Sequence, residues 1–163
     1  MDSVPAGMTG LIPHLVCSPA AGAIDYYKRA FGAVELARIP APGGDRLMHA
    51  ALTIDGHAVF LCDDFPEYCG GKSGTAKALG GTPVTLHRYV PDCDAALARA
   101  ADAGGTITMP AHDAFWGDRY GQLTDPYGHV WSLATAGRRL TPQEIETNMA
   151  EAFRQMESAG MAT

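Results

Sequence analysis

Residues 10–17 (GLIPHLVC) form a short, mostly apolar run. Such a run predicts a strand, whose period of two puts Leu11, Leu15 and Cys17 on one face and Ile12, His14 and Val16 on the other. The period becomes helical over 20–31, where Ala23, Ile24, Tyr27, Ala30 and Phe31 form a stripe and Gly32 suits a C-terminal cap. Strands are predicted over 33–40 and 46–54, separated by the Pro/Gly loop of 41–45. Asp55-Gly56 is a two-residue hairpin signal, and His57 to Cys62 returns as a strand. Residues 63–83 are rich in Gly and show little periodicity, so they read as a linker. Strand pattern resumes over 84–90. Asp92 caps a predicted helix to about Ala103, ended by Gly104-Gly105. Strands over 106–109, 118–124 and 129–134 follow, with a loop holding Phe115-Trp116-Gly117 and a turn at Asp125-Pro126-Tyr127-Gly128.

The element order is therefore strand, helix, three strands, and then the same again. Gly56-His57 and Gly128-His129 lie 72 residues apart, as do Gly32 and Gly104. His14 and His87 fall in the first strand of each unit. Several coincidences near one offset indicate an internal duplication. The predicted organisation is an extension over 1–9, a first unit over 10–62, the linker 63–83, a second unit over 84–135 and a tail over 136–163. In the tail, Thr141-Pro142-Gln143-Glu144 is a capping box with Pro at the first helical position. Ile145, Met149, Phe153 and Met156 then form a helical stripe, which either docks on its own domain or clasps a second subunit.

Composition narrows the function classes. Hydrophobic residues are 47% and charged residues 18%, as in an ordinary globular protein. The net charge is −6 with no Lys/Arg cluster, so no nucleic-acid partner is expected. No apolar run approaches a membrane span, and no membrane partner is expected. The first ten residues lack the basic start and apolar core of an export signal. Cys17, Cys62, Cys69 and Cys93 show no CxxC spacing, so reduced thiols and a cytoplasmic location are the expectation. Gly71-Lys72-Ser73 matches the end of a phosphate-binding loop, but Pro66 stands where the first Gly is needed.

Four ordered motifs carry a family resemblance. They are Pro13-His14-Leu15, Ala23-Ile24-Asp25-Tyr26-Tyr27 with Phe31-Gly32-Ala33, Phe115-Trp116-Gly117-Asp118-Arg119-Tyr120-Gly121, and Asp125-Pro126-Tyr127-Gly128-His129. With His49-Ala50, this set resembles the vicinal oxygen chelate superfamily of glyoxalases, bleomycin-resistance proteins and extradiol dioxygenases. Within it the chain looks most like the PhnB-like, glyoxalase-related branch. The resemblance implies an α+β fold of tandem βαβββ units, with curled mixed sheets enclosing a cavity and a C-terminal helix added. Metal enzymes of the superfamily place a His from each first strand and a Glu after each hairpin turn around a divalent ion.

Carried over residue by residue, the Glu positions fall on Phe60 and Ser132, neither a strong ligand. Ungapped alignment puts the His positions on Ile12 and Thr85. His14 and His87 lie two residues on, which is the same strand face. They are the candidate catalytic residues and the candidate metal ligands, with His49 or Glu67 as further ligands. His49, Phe60, Trp116, Arg119, Tyr120 and Ser132 are candidate ligand-binding residues, and Trp116, Arg119 and Tyr120 suit a lid over a planar or anionic ligand. His57 and His129 alternate onto the helix-packed face and read as structural.

Three functions are consistent with these residues. The first is a binding protein that holds a metabolite or antibiotic and needs no cofactor. The second is a lyase, isomerase or dioxygenase with a divalent metal at a His-based site. The third is a metal-free acid–base enzyme, with His14 or His87 as base and Arg119 as oxyanion partner. A small-molecule ligand is common to all three, and a homodimer is the expected assembly.

Overall fold

The fold, a computed structural model, is described over residues 4–158. The ends of the predicted extension and tail, 1–3 and 159–163, lie outside the described residues. The first unit runs β1 (His14–Val16), α1 (Ala20–Phe31), β2 (Val34–Pro40), β3 (Leu47–Ile54) and β4 (His57–Cys62). The second runs β5 (Thr85–Tyr89), α2 (Cys93–Asp102), β6 (Thr106–Asp113), β7 (Arg119–Thr124) and β8 (Val130–Thr135), and α3 (Pro142–Ser158) follows. The sheets have orders β1-β4-β3-β2 and β5-β8-β7-β6. In each, the first strand pairs parallel with the last and the other pairs are antiparallel. The two units thus share one topology.

Two strands differ from the pattern-based reading. β1 is short, and Leu11 is 97% exposed instead of sharing a face with Leu15 and Cys17. Pro13 explains the late start, because it has no N–H to give a ladder. β6 extends to Asp113 through register shifts on either side of Met109, which lets Pro110 sit in a bulge. The linker is also more organised than its composition suggests. Its first residue, Asp63, is buried and accepts from the N–H groups of Ala20 and Leu47 at 2.9 and 2.7 Å. Ala76 is buried, and a Cβ at Gly128 would lie 3.2 Å from Ala76 Cβ. The linker therefore packs on the turn before β8.

One core spans both units. It contains Ile24, Tyr26, Tyr27 and Phe31 from α1, Leu97 and Ala100 from α2, and Leu52, Leu61, Leu123, Trp131 and Leu133 from the sheets. The helices meet directly: Tyr26 Oη donates to Ala100 O at 3.4 Å and Arg99 Nε to Ala30 O at 2.9 Å. Asp125 is the central polar tie. It is 3% exposed and accepts from Tyr27 Oη at 2.7 Å and Trp131 Nε1 at 3.0 Å. Arg88 spans the units too, donating to Asp55 Oδ2 at 2.6 and 2.9 Å while its guanidinium lies 4.9 Å from the Phe31 ring centre.

Because the units join through their helix sides, the other face of each sheet is left free. The two sheets are not closed on one another. α3 begins with the expected capping box, Thr141 N donating to Glu144 Oε2 at 2.8 Å and Glu144 N to Thr141 Oγ1 at 3.3 Å. None of its residues is buried.

Candidate functional site

Strand register sorts the side chains of the free faces, since residues paired across a ladder point the same way. In the first sheet His14 pairs with Phe60, Phe60 with Ala51, and His49 with Ile39. The rings of His14 and His49 are 5.8 Å apart, and that of Phe60 lies 4.8 Å from His49 and 6.1 Å from His14. Val34 and Ile39 on the edge strand are exposed, so this face is apolar with two imidazoles. His14 also borders a cavity of about 310 Å³ walled by Val16, Gly74, Thr82, Val84 and His129. Burial, and then the nearby imidazole of His49, hold the pKa of His14 below its usual value of 6.5.

In the second sheet His87 pairs with Ser132, Ser132 with Gln122, and Tyr120 with both Ala134 and His112. His87 Nδ1 lies 2.8 Å from Ser132 Oγ. If the hydroxyl donates, Nε2 carries the ring proton; if it accepts, Nε2 is the free base. The His87 ring lies 5.0 Å from Tyr89 and 6.3 Å from Tyr120, and Tyr120 lies 5.2 Å from Trp116. Asp118 stands at the rim, where Oδ2 accepts from Tyr89 Oη at 2.9 Å and Trp116 Nε1 at 3.1 Å.

The structure thus places His14, His49 and Phe60 together on one sheet, and His87, Ser132, Tyr120 and Trp116 together on the other. Arg119 lies elsewhere. It falls out of phase with Tyr120 and donates to Asp94 at 2.8 and 2.9 Å and to Asp113 at 3.2 Å. Those two carboxylates, and the register of β7, turn it away from the aromatic face. Glu67 pairs with Arg46. His129 Nε2 faces Val16 O at 3.3 Å, and His57 is exposed. Tyr89, Gln122 and Asp118 were missed as site residues. Period-two spacing from His87 and Tyr120 puts all three on the same face, which was the available signal.

The donor set can be tested against a divalent ion. Phe60 and Ser132 stand directly across from His14 and His87, where a carboxylate ligand is required. At those two positions each sheet offers imidazole without carboxylate, and the carboxylate at the rim of the second, Asp118, is held by Tyr89 and Trp116. Among the described residues no group of three or more His, Cys, Asp or Glu converges. These residues do not fit a four-ligand N/O site. They fit a ligand with flat apolar surface and a few hydrogen-bonding groups, since imidazole, hydroxyl and amide line the aromatic patch.

Comparison with known proteins agrees with the topology. A Mycobacterium tuberculosis protein, Rv0887c, is 53% identical over 140 residues, covering 86% of this chain and 82% of its own length. TioX from Micromonospora sp. ML1 superposes with a TM-score of 0.59 at 29% identity, over 78% of this chain and 98% of TioX. The Arabidopsis thaliana At5g48480 product gives 0.62 at 27% identity, over 77% of this chain and 98% of that one. The sequence model of the glyoxalase/bleomycin resistance protein/dioxygenase superfamily matches residues 12–133. With that match across both units, the chain belongs to the glyoxalase/bleomycin resistance protein/dioxygenase superfamily.

Proposed function

We propose that the protein is a small-molecule binding protein of the glyoxalase/bleomycin-resistance type, which takes a metabolite or antibiotic on its free sheet faces. The observation that carries this reading is the register pairing of His14 with Phe60 and His87 with Ser132. An aromatic ring and a hydroxyl replace ion-binding carboxylates there, and both favour an organic ligand. We place it in the cytoplasm, a reading supported by four cysteines that are all free thiols. Two copies are proposed to complete the site as a homodimer. Each chain offers one apolar and one polar aromatic face, both open, and a tail helix with no buried residue.

The test pairs elemental analysis of untagged protein with calorimetry against a panel of aromatic fragments. Substoichiometric metal, micromolar binding and no turnover are expected. Stoichiometric Zn, Ni, Mn or Fe that is lost in His14→Ala and His87→Ala would overturn the reading in favour of a metal enzyme. A second reading, metal-free acid–base catalysis, draws support from the 2.8 Å contact that orients His87. Turnover of a fragment that survives chelation but fails in His87→Ala would select it.

A further inference from the structure

We propose that the free face of the second sheet recognises organic cations, with a quaternary or protonated amine seated against the rings of Tyr89, Trp116 and Tyr120 and with Asp118 as its counter-charge. The inference rests on the small-molecule reading above and adds the ligand class. Five rings meet on this face. Besides the His87, Tyr89, Tyr120 and Trp116 contacts, His112 lies 6.0 Å from Tyr120 at nearly a right angle. Edge-to-face arrangements leave ring faces at several angles, as a cation needs, since it is drawn to the negative face of each ring.

Asp118 supplies the second, independent observation. Three donors hold its carboxylate: Tyr89 Oη, Trp116 Nε1 and the N–H of Gly137 at 3.0 Å. Those bonds, led by that of Gly137, keep its pKa below the ordinary aspartate value. Two of the donors belong to rings of the patch. Giving a hydrogen bond to an anion pushes electron density back into each ring, which strengthens its pull on a cation.

The basic groups on the face itself are the imidazoles of His87 and His112. Of the nearby guanidinium groups, Arg88 and Arg119 fall on the opposite register, and Arg138, next to Gly137, is paired with Glu144. Arg88 is held by Asp55, and Arg119 by Asp94 and Asp113. An anionic ligand would meet Asp118 with only imidazoles in compensation, since the guanidinium groups are already paired. Tyr89 is 60% exposed, so the patch is open to a ligand.

Choline and its neutral isostere 3,3-dimethylbutan-1-ol differ in charge but hardly in shape. The full chain is titrated with each, and with neutral 1-naphthol, by calorimetry and Trp fluorescence. Choline is expected to bind about tenfold more tightly than its isostere. Tyr89→Leu, at an exposed position, should remove most of that preference, while Tyr89→Phe keeps the ring and most of the preference. Equal binding of choline and isostere, or saturable binding of 1-naphthol with none of choline, overturns the cation inference and leaves the small-molecule reading standing. Failure of all three probes overturns both.

Discussion

Replacing Asp125 with Ala should cost more stability than any single change on the free faces. The carboxylate accepts four hydrogen bonds: from Tyr27 Oη, Trp131 Nε1 and the N–H groups of Tyr127 and His129, the last two at 2.9 Å. Water reaches the backbone donors more easily, but Tyr27 and Trp131 are buried. Each buried donor left without a partner costs about 1–3 kcal/mol. Two of them give a loss of about 2–6 kcal/mol, or a Tm lower by roughly 10 °C for a chain of this size. Tyr27→Phe removes one bond to a charged acceptor and should cost about 1.5–3 kcal/mol. In that background Asp125→Ala strands one donor fewer, so its cost should drop by at least about 1 kcal/mol. Urea unfolding at fixed protein concentration, followed by Trp fluorescence and circular dichroism, measures all four corners of the cycle. Additive losses, or an Asp125→Ala loss below about 1 kcal/mol, would refute the view of Asp125 as the tie between units.

Three further outcomes follow from the geometry. His14 should titrate below 6.5 by NMR, and His49→Ala should move it upward. Because the folded state then binds this proton less tightly than the unfolded chain, the His14 contribution is complete above pH 6.5. It is lost as pH falls through 6.5 toward the lowered pKa, and a His14→Asn variant should show a flatter stability profile in that window. Deleting residues 138–163 should convert a dimer to a monomer in light scattering while leaving the circular dichroism of the two units in place; a truncated chain that stays dimeric would remove α3 from the interface. Gly121→Ala should destabilise by about 1–3 kcal/mol in urea, since its Cβ would lie 2.5 Å from Leu97 Cδ1 and 2.9 Å from Met109 O.

The repeat made the element order legible in the sequence, because strand and helix periods recur in the same order around shared turn residues. The shared face of His14 with Phe60 and of His87 with Ser132 is what the family resemblance implied, with two-residue spacing carrying the phase only along each strand. What periodicity does not encode is which sides of the two sheets meet. The helix-side contacts of Tyr27, Asp125 and Arg88 set that arrangement, and each links residues far apart in the chain. Hence the expected enclosing cavity corresponds to two open faces within one chain. Arg119 shows the limit of reading a motif linearly. It adjoins Trp116 and Tyr120 in sequence, yet strand alternation sends it to Asp94 on α2. The linker was opaque for another reason: its order comes from Asp63 bonding to α1 and β3, which composition cannot reveal.

On the proposed function, small organic ligands bind on the free sheet faces. Histidine-ring NMR of the full chain during titration with an aromatic fragment that binds in calorimetry tests it most directly. Saturable shifts are expected at His87, with His14 and His49 following in the dimer, while His129 stays fixed against Val16 O. Saturable binding that moves none of His14, His49 and His87 would contradict it.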